Sequence, residues 1–377
     1  MGRENLGAGR FWHDPVGWSE ARPHPLARLP RWAAWLALAL LAVSLVWAAF
    51  AATPAGGPDA AVATSDTSAG EGGSQGDLAL YARISGRVMA GEDYYAAAVA
   101  EQRAGNYPVR PAVTVRLPTL ALLHGWIGIE GTGLLLKLLW PLAAIALMLR
   151  LRGQLAGPER IACGVFAMLG GAAAAIPLAP LIHELPAGLL LTLALALYRP
   201  DRWWPALVCA AMALAFRELA APFVALWFVL ALWQRRAGEA AAVLGVLVLF
   251  SLAMTLHAQG VAAEVQPDDR ASQGWSGLAG PMLPLAALAN LSALLLLPHW
   301  LAAPLAILPL AGWLGLGGRS GLFAGLWFTG FLAAMALFAR PENFYWAQVL
   351  LPAYLAGFAF VPRAIADLAR AAGLKHS

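Results

Sequence analysis

The chain has 377 residues, 60% of them hydrophobic and 12% charged, with a formal net charge of +4. That is about half the charged fraction of a soluble globular domain, which excludes a soluble fold, and solid Leu- and Ala-rich runs in place of short alternating segments exclude a transmembrane β-barrel. The expected class is therefore all-α: a polytopic transmembrane helical protein of about ten spans with a helical extracytoplasmic first loop.

Residues 1–31 are polar, with Arg3, Arg10, Arg22, Arg28 and Arg31, and read as a cytoplasmic tail. Trp32–Ala52 is the first span. Its apolar region exceeds the roughly 7–15 residues of a cleaved signal, which favours a retained anchor. The loop 53–116 follows. Its first part, 53–75, is rich in Gly, Ala, Ser, Thr and Asp and has no apolar period, as a linker does. Then Asp77, Tyr81, Ile84 and Val88 recur at helical spacing and predict a helix that Gly91 ends. A second helix is predicted over Asp93–Ala104. Leu117–Ile127 is apolar but short, and is expected to lie along or dip into the interface.

Later crossings are expected near 133–151, 160–180, 186–199, 203–216, 219–234, 237–258, 300–317, 320–338 and 343–361. Pro281–Pro298 is read as re-entrant or interfacial, because a full crossing there would put Arg319 on the wrong side. Arg150/Arg152/Arg160, Arg199/Arg202, Arg235/Arg236 and Arg319 then mark the cytoplasmic side by the positive-inside rule, with the tail 362–377. This placement of arginines accounts for the basic balance without nucleic acid. Cys163 and Cys209 fall in apolar stretches and read as inert thiols.

Three groups of ionisable residues invite chemistry. Asp77 with Tyr81 opens the loop helix, where an acid either caps free N–H groups or acts as a base. Glu92, Asp93, Tyr94 and Tyr95 suit a sugar or a divalent cation, or a solvated helix start. The third group flanks the spans: His183-Glu184, Arg217-Glu218, and Arg340 with Glu342-Asn343-Phe344-Tyr345. Ionisable groups within apolar stretches face cavities or one another. Neighbours on a helix do not face each other, so a private Arg217–Glu218 pair is not expected. Arg217 suits a phosphate through its fork of donors, or a salt bridge to Glu184 or Glu342. No P-loop, dinucleotide glycine fingerprint, zinc-protease helix or nucleophile elbow is present.

One span followed by an outer loop with Asp77-Leu78-Ala79-Leu80-Tyr81, then Gly91-Glu92-Asp93-Tyr94-Tyr95, resembles the GT-C class of membrane glycosyltransferases. The chain is similar in this to the protein O-mannosyltransferase and aminoarabinose transferase families. Tyr107-Pro108, Arg116-Leu117-Pro118 and the Arg340-Pro341-Glu342-Asn343-Phe344-Tyr345-Trp346 stretch continue the likeness. Where many of these families place two adjacent acids, Asp77 is followed here by Leu78. The resemblance implies transfer of a sugar from a polyprenyl-phosphate donor to a lipid, glycan or protein acceptor at the outer face of a bacterial inner membrane. It implies Asp77 as general base, a leaving phosphate held by Arg217 or Arg340, and a sugar face made by Tyr81, Tyr94, Tyr95, Glu92 and Asp93, with Glu218, Asn343 and Tyr345 also at the substrate. No cofactor is certain, and a divalent cation is open. A multi-span transporter or flippase is the alternative; it would carry inverted repeats and polar residues spread along several spans.

Overall fold

The apolar runs fold as helices. The computed structural model describes residues 24–51, 74–274 and 276–374, and among these there is no strand, only an isolated bridge between Arg110 and Ala271. The expectations for most of the N-terminal tail, the 53–73 linker and the last three residues fall outside the described residues.

In chain order the helices are α1 (Arg31–Ala51), α2 (Ser74–Met89), α3 (Tyr94–Ala104), α4 (Thr119–Leu151), α5 (Gly157–Gly170), α6 (Glu184–Leu197) and α7 (Trp204–Phe216). There follow α8 (Ala221–Trp233), α9 (Ala237–Glu264), α10 (Met282–Asn290), α11 (His299–Leu316), α12 (Gly318–Phe338) and, after tight helical turns through 341–360, α13 (Val361–Ala371). Among the described residues, six helical stretches are long and apolar enough to cross a membrane: α1, Ala112–Leu151 (which contains α4), α9, α11, α12 and Leu351–Ala371. Glu184–Leu197, Trp204–Phe216 and Glu218–Trp233 are apolar but shorter.

The bundle is built around α6. Every residue from Glu184 to Ala196 is buried, as expected of a helix that is apolar on all sides. Lipid is as apolar as leucine, so helices in it associate by close packing more than by escape from solvent. Gly188 shows how close: a Cβ there would collide with the Gln348 carbonyl of the 341–349 turns. α7 and α4 cover the other sides of α6.

Polar groups gather at the two ends of α6. Glu184 opens the helix and meets Arg217, at the turn between α7 and α8. Tyr198 closes it and meets Arg236 and Arg319, at the starts of α9 and α12. The helix between them has 14 residues, about 21 Å at a rise of about 1.5 Å per residue. The Glu184 end is called the upper end below.

α2 and α3 form a helical hairpin over the upper end. Leu80, Ile84, Tyr94, Ala98 and Val99 pack there with Val109, Val115, Ala121 and Val261 as a small separate core. Asp93 caps α3, accepting from the N–H groups of Tyr95 (2.9 Å) and Ala96 (3.0 Å). The helix predicted over Asp93–Ala104 thus starts one residue later, because Asp93 is extended and serves as its cap.

Two expectations change. Leu117–Ile127 is not a separate interfacial segment: from Thr119 it forms the upper arm of α4, which breaks at Gly128 (φ 76°, ψ 166°) before running on to Leu151. Only glycine occupies that backbone region readily, so one residue re-aims the helix. Pro281–Pro298 contains α10, whose nine residues span about 13 Å. This is too short to cross, and Leu285, Ala287 and Leu288 are buried against the bundle.

Candidate active site at the upper end

Four parts of the chain bring ionisable groups together under the α2–α3 hairpin: the inner face of α2, the residues just before α4, the start of α6, and the α7–α8 turn. The 341–349 turns close the site from the side.

Asp77 lies in the first turn of α2 and is half-buried. Burial raises its carboxyl above the ordinary value of 3.8; a Tyr107 hydrogen bond and the charge of Arg116 oppose the rise, and Glu184 adds to it. An aspartate so placed is a better proton acceptor than an exposed one, because its charged form is poorly solvated.

Arg116 occupies the centre. Its Nε donates to Tyr81 Oη at 3.0 Å and its Nη2 to Tyr345 Oη at 2.9 Å. The guanidinium also lies over both rings, 5.8 Å from the Tyr81 centroid and 5.6 Å from that of Tyr345. Tyr94 Oη donates to the Arg116 carbonyl at 2.5 Å. Three tyrosines therefore fix one arginine. Among the described residues no carboxylate lies within ion-pair distance of it.

Arg217 behaves differently. It is 1% exposed and donates from Nε to Glu184 Oε1 at 2.6 Å, and from Nη1 to Glu218. Of the alternatives open for Arg217, the salt bridge to Glu184 is present and the one to Glu342 is not. The pair with Glu218, not expected for helical neighbours, forms because Arg217 is not helical. Its backbone is extended (φ −154°, ψ 121°) where α7 ends, so the adjacent side chains can meet. Two carboxylates already neutralise this arginine.

His183 stands edge-on to Tyr81, with ring centroids 4.7 Å apart, and is 5% exposed with no partner at Nδ1. Burial, then the positive charges of Arg116 and Arg217, hold its pKa well below the ordinary value. It is neutral near pH 7. Tyr81, Ser85, Tyr94, Gln102, Arg116 and His183 line a narrow cleft between the hairpin and the start of α6.

The other residues singled out from sequence lie apart from this cluster or serve structure. Glu92 is exposed and paired with Arg87, which holds its carboxyl below the ordinary range. Asp93 is spent on the α3 cap. Tyr95 packs against His257, centroids 5.6 Å apart, where Gly260 leaves room for its ring. Arg340 is held by Gln273, through its side chain and, at 3.0 Å, its carbonyl. Asn343 accepts from the Arg340 N–H at 3.0 Å and is 3.5 Å from Tyr345 Oη. Glu342 is exposed at the start of the turns.

The arginine whose charge reaches Asp77 is thus Arg116, where sequence reasoning pointed to Arg217 or Arg340. The available signal was Arg116-Leu117-Pro118, a lone cation directly before a proline-led apolar helix. His183 and Glu184 carried the parallel signal, an ionisable pair at the mouth of a wholly apolar stretch. Among the described residues no group of three or more His, Cys, Asp or Glu is placed to hold a metal ion.

No protein-family model, curated protein or solved structure matches the chain.

Proposed function

We propose that the chain is an integral membrane glycosyltransferase of GT-C type. It moves a sugar from a polyprenyl-phosphate donor to an acceptor hydroxyl at the upper end of the bundle. The observation that carries the reading is a desolvated carboxylate, Asp77, within the field of a tyrosine-clamped guanidinium, Arg116, with which no acid forms an ion pair.

On this reading Asp77 takes the proton of the acceptor hydroxyl as its oxygen attacks the anomeric carbon. The bond from that carbon to the phosphate oxygen breaks, and the electron pair leaves with the polyprenyl phosphate. Arg116 holds the departing dianion through its planar fork of donors, the kind of fixed charge that contributes most to such steps. Attack opposite the leaving group inverts the anomeric carbon. Arg217, neutralised by Glu184 and Glu218, organises the floor of the site. Neutral His183 offers a ring N–H or a lone pair at Nδ1 to the sugar, and Tyr81 and Tyr94 offer ring faces.

The same reading sets the topology. Six long stretches, the three shorter apolar ones and α5 give ten crossings. The basic turns at 150–160, 199–202, 235–236 and 319 lie at the lower end, which the positive-inside rule makes cytoplasmic. The upper end then faces the outer side of a bacterial inner membrane, with both termini inside.

The test is purified protein with a panel of polyprenyl-phosphate sugars. Wild type transfers at least one of them. Asp77→Asn lowers the rate by roughly a hundredfold or more, the usual contribution of a positioned base. Undiminished transfer by a correctly folded Asp77→Asn protein would remove Asp77 from the role given to it.

A further inference from the structure

Arg116 sits in a short irregular segment ahead of α4, where backbone carbonyls have no helical partner. Ala112–Thr114 is one tight turn and Val115 is extended (φ −85°, ψ 129°). Carbonyls buried in such a segment must be met by side chains, and three successive ones are. Gln102 Nε2 donates to the Thr114 carbonyl at 3.3 Å, His257 Nε2 to the Val115 carbonyl at 3.1 Å, and Tyr94 Oη to the Arg116 carbonyl at 2.5 Å. Gln102 and Tyr94 stand on α3; His257 stands on α9. The last two bonds bear directly on the arginine. The Val115 carbonyl belongs to the planar peptide unit that enters the Arg116 Cα, and the Arg116 carbonyl to the unit that leaves it. With both planes held, the direction in which the side chain departs is set independently of the tyrosines that touch its guanidinium.

His257 is the donor that its own helix does not explain. It is 2% exposed on a long apolar helix, where an ionisable side chain is costly and is retained for a specific contact. A carbonyl only accepts, so the ring carries its proton on Nε2; Nδ1 has no partner among the described residues. The Tyr95 ring packs against the imidazole, centroids 5.6 Å apart, and limits its rotation. One bond thus ties the Arg116 segment to α9, while the other two tie it to the hairpin above. A group that stabilises developing charge loses on the order of a hundredfold in rate when displaced by about 1 Å, so an anchor on the bundle itself bears on the chemistry.

We propose that His257 is a positioning residue for Arg116: by holding the Val115 carbonyl it sets the place from which the guanidinium meets the leaving phosphate. It touches no substrate and acts only through Arg116. The inference rests on the phosphate-holding role given to Arg116 above.

The experiment compares full-length wild type with His257→Phe, His257→Gln, Arg116→Gln and the double variant His257→Phe/Arg116→Gln. Phenylalanine keeps a ring and loses the donor; glutamine returns an N–H near the place of Nε2. The first readout is transfer from a polyprenyl-phosphate sugar. His257→Phe is expected to lower kcat roughly tenfold, the scale of one lost hydrogen bond, with KM within about twofold, because the phosphate's charge develops in the transition state. His257→Gln recovers most of that rate. In the Arg116→Gln background His257→Phe lowers the residual rate no further, since both changes act through one guanidinium. Unchanged kcat in folded His257→Phe, a fully additive double variant, or no recovery in folded His257→Gln overturns the proposal. The second readout needs no transfer: phenylglyoxal labelling of Arg116, followed by peptide mass spectrometry. Labelling is expected to be several-fold faster in His257→Phe than in wild type or His257→Gln, and equal rates overturn the proposal. If wild type transfers no sugar, the transferase reading fails by itself, and the labelling rates still decide whether His257 holds Arg116 in place.

Discussion

Arg217 Nε lies 2.6 Å from Glu184 Oε1, in a contact that ties the α7–α8 turn to the first turn of α6. Both side chains are buried, and Glu218 completes the group. Removing the guanidinium leaves two carboxylates without a cation in a poorly solvated place. Arg217→Met is expected to cost about 3–5 kcal/mol, the usual penalty for breaking one side of a buried pair. Adding Glu184→Gln and Glu218→Gln to it should recover most of that loss. Thermal unfolding in detergent checks both. Arg217→Met melting at the wild-type temperature would mean that solvent reaches this turn after all.

Asp77 and Asp269 should respond to pH with opposite signs. Burial raises the Asp77 carboxyl above 3.8. The folded state therefore holds that proton more tightly than the unfolded chain does, and the stability this contributes is present below 3.8 and lost as pH rises through the higher folded value. Asp77→Asn, which mimics the protonated acid, is expected to be at least as stable as wild type at pH 7 while losing transfer. Its stability advantage should vanish toward pH 3.8. A variant less stable than wild type at pH 7 would contradict the desolvation assigned to this carboxyl.

Asp269 runs the other way. Arg103, donating from Nε at 2.6 Å and Nη2 at 2.8 Å, holds its carboxyl down to about 2. The attachment of the 265–270 loop to α3 is then fully present above 3.8 and lost as pH falls through about 2. Hydrogen exchange across this loop should quicken over that interval in wild type. In Arg103→Gln the quickening should begin at higher pH; identical profiles would show that the loop is held by something else.

Tyr81→Phe and Tyr345→Phe each remove one hydrogen bond to Arg116. On the transfer reading each lowers kcat by about tenfold, since a hydrogen bond to a charged group contributes about 1.5–3 kcal/mol. The two losses should not add, because the tyrosines hold one guanidinium. A fully additive double variant would mean that the two rings act separately on the substrate.

Gly128→Ala should destabilise the protein by about 1–3 kcal/mol, because its φ of 76° and ψ of 166° are strained for any side chain. No neighbouring atom would touch the new methyl group, so backbone strain alone is measured. An unchanged melting temperature would indicate that α4 can straighten without penalty.

The upper-end helices were legible because their signals are local. Asp93 before Tyr94-Tyr95 marks a cap, and Gly91, with φ of 92°, marks the turn before it. The apolar face of α2 was visible in the spacing of Tyr81, Ile84 and Val88. The break at Gly128 was not, since a glycine within an apolar run looks the same whether it bends the helix or lies flat in it. The Arg217–Glu218 pair was misjudged for a related reason. The rule that adjacent residues diverge holds inside a helix, and Arg217 is where one stops.

Length and composition alone determined that the chain folds as helices suited to lipid, since apolar runs and their polar punctuation are properties of contiguous residues. Tertiary structure decided which charge stands beside which. Tyr81, Arg116, Glu184, Arg217 and Tyr345 are separated by up to hundreds of residues, and they meet only because the inner face of α2, the ends of α4, α6 and α7 and the 341–349 turns arrive at one level of the bundle. Pairwise electrostatics depends on distance in space, which spacing along the chain does not encode; that is why Arg116, and not Arg217 or Arg340, is the cation whose charge reaches Asp77.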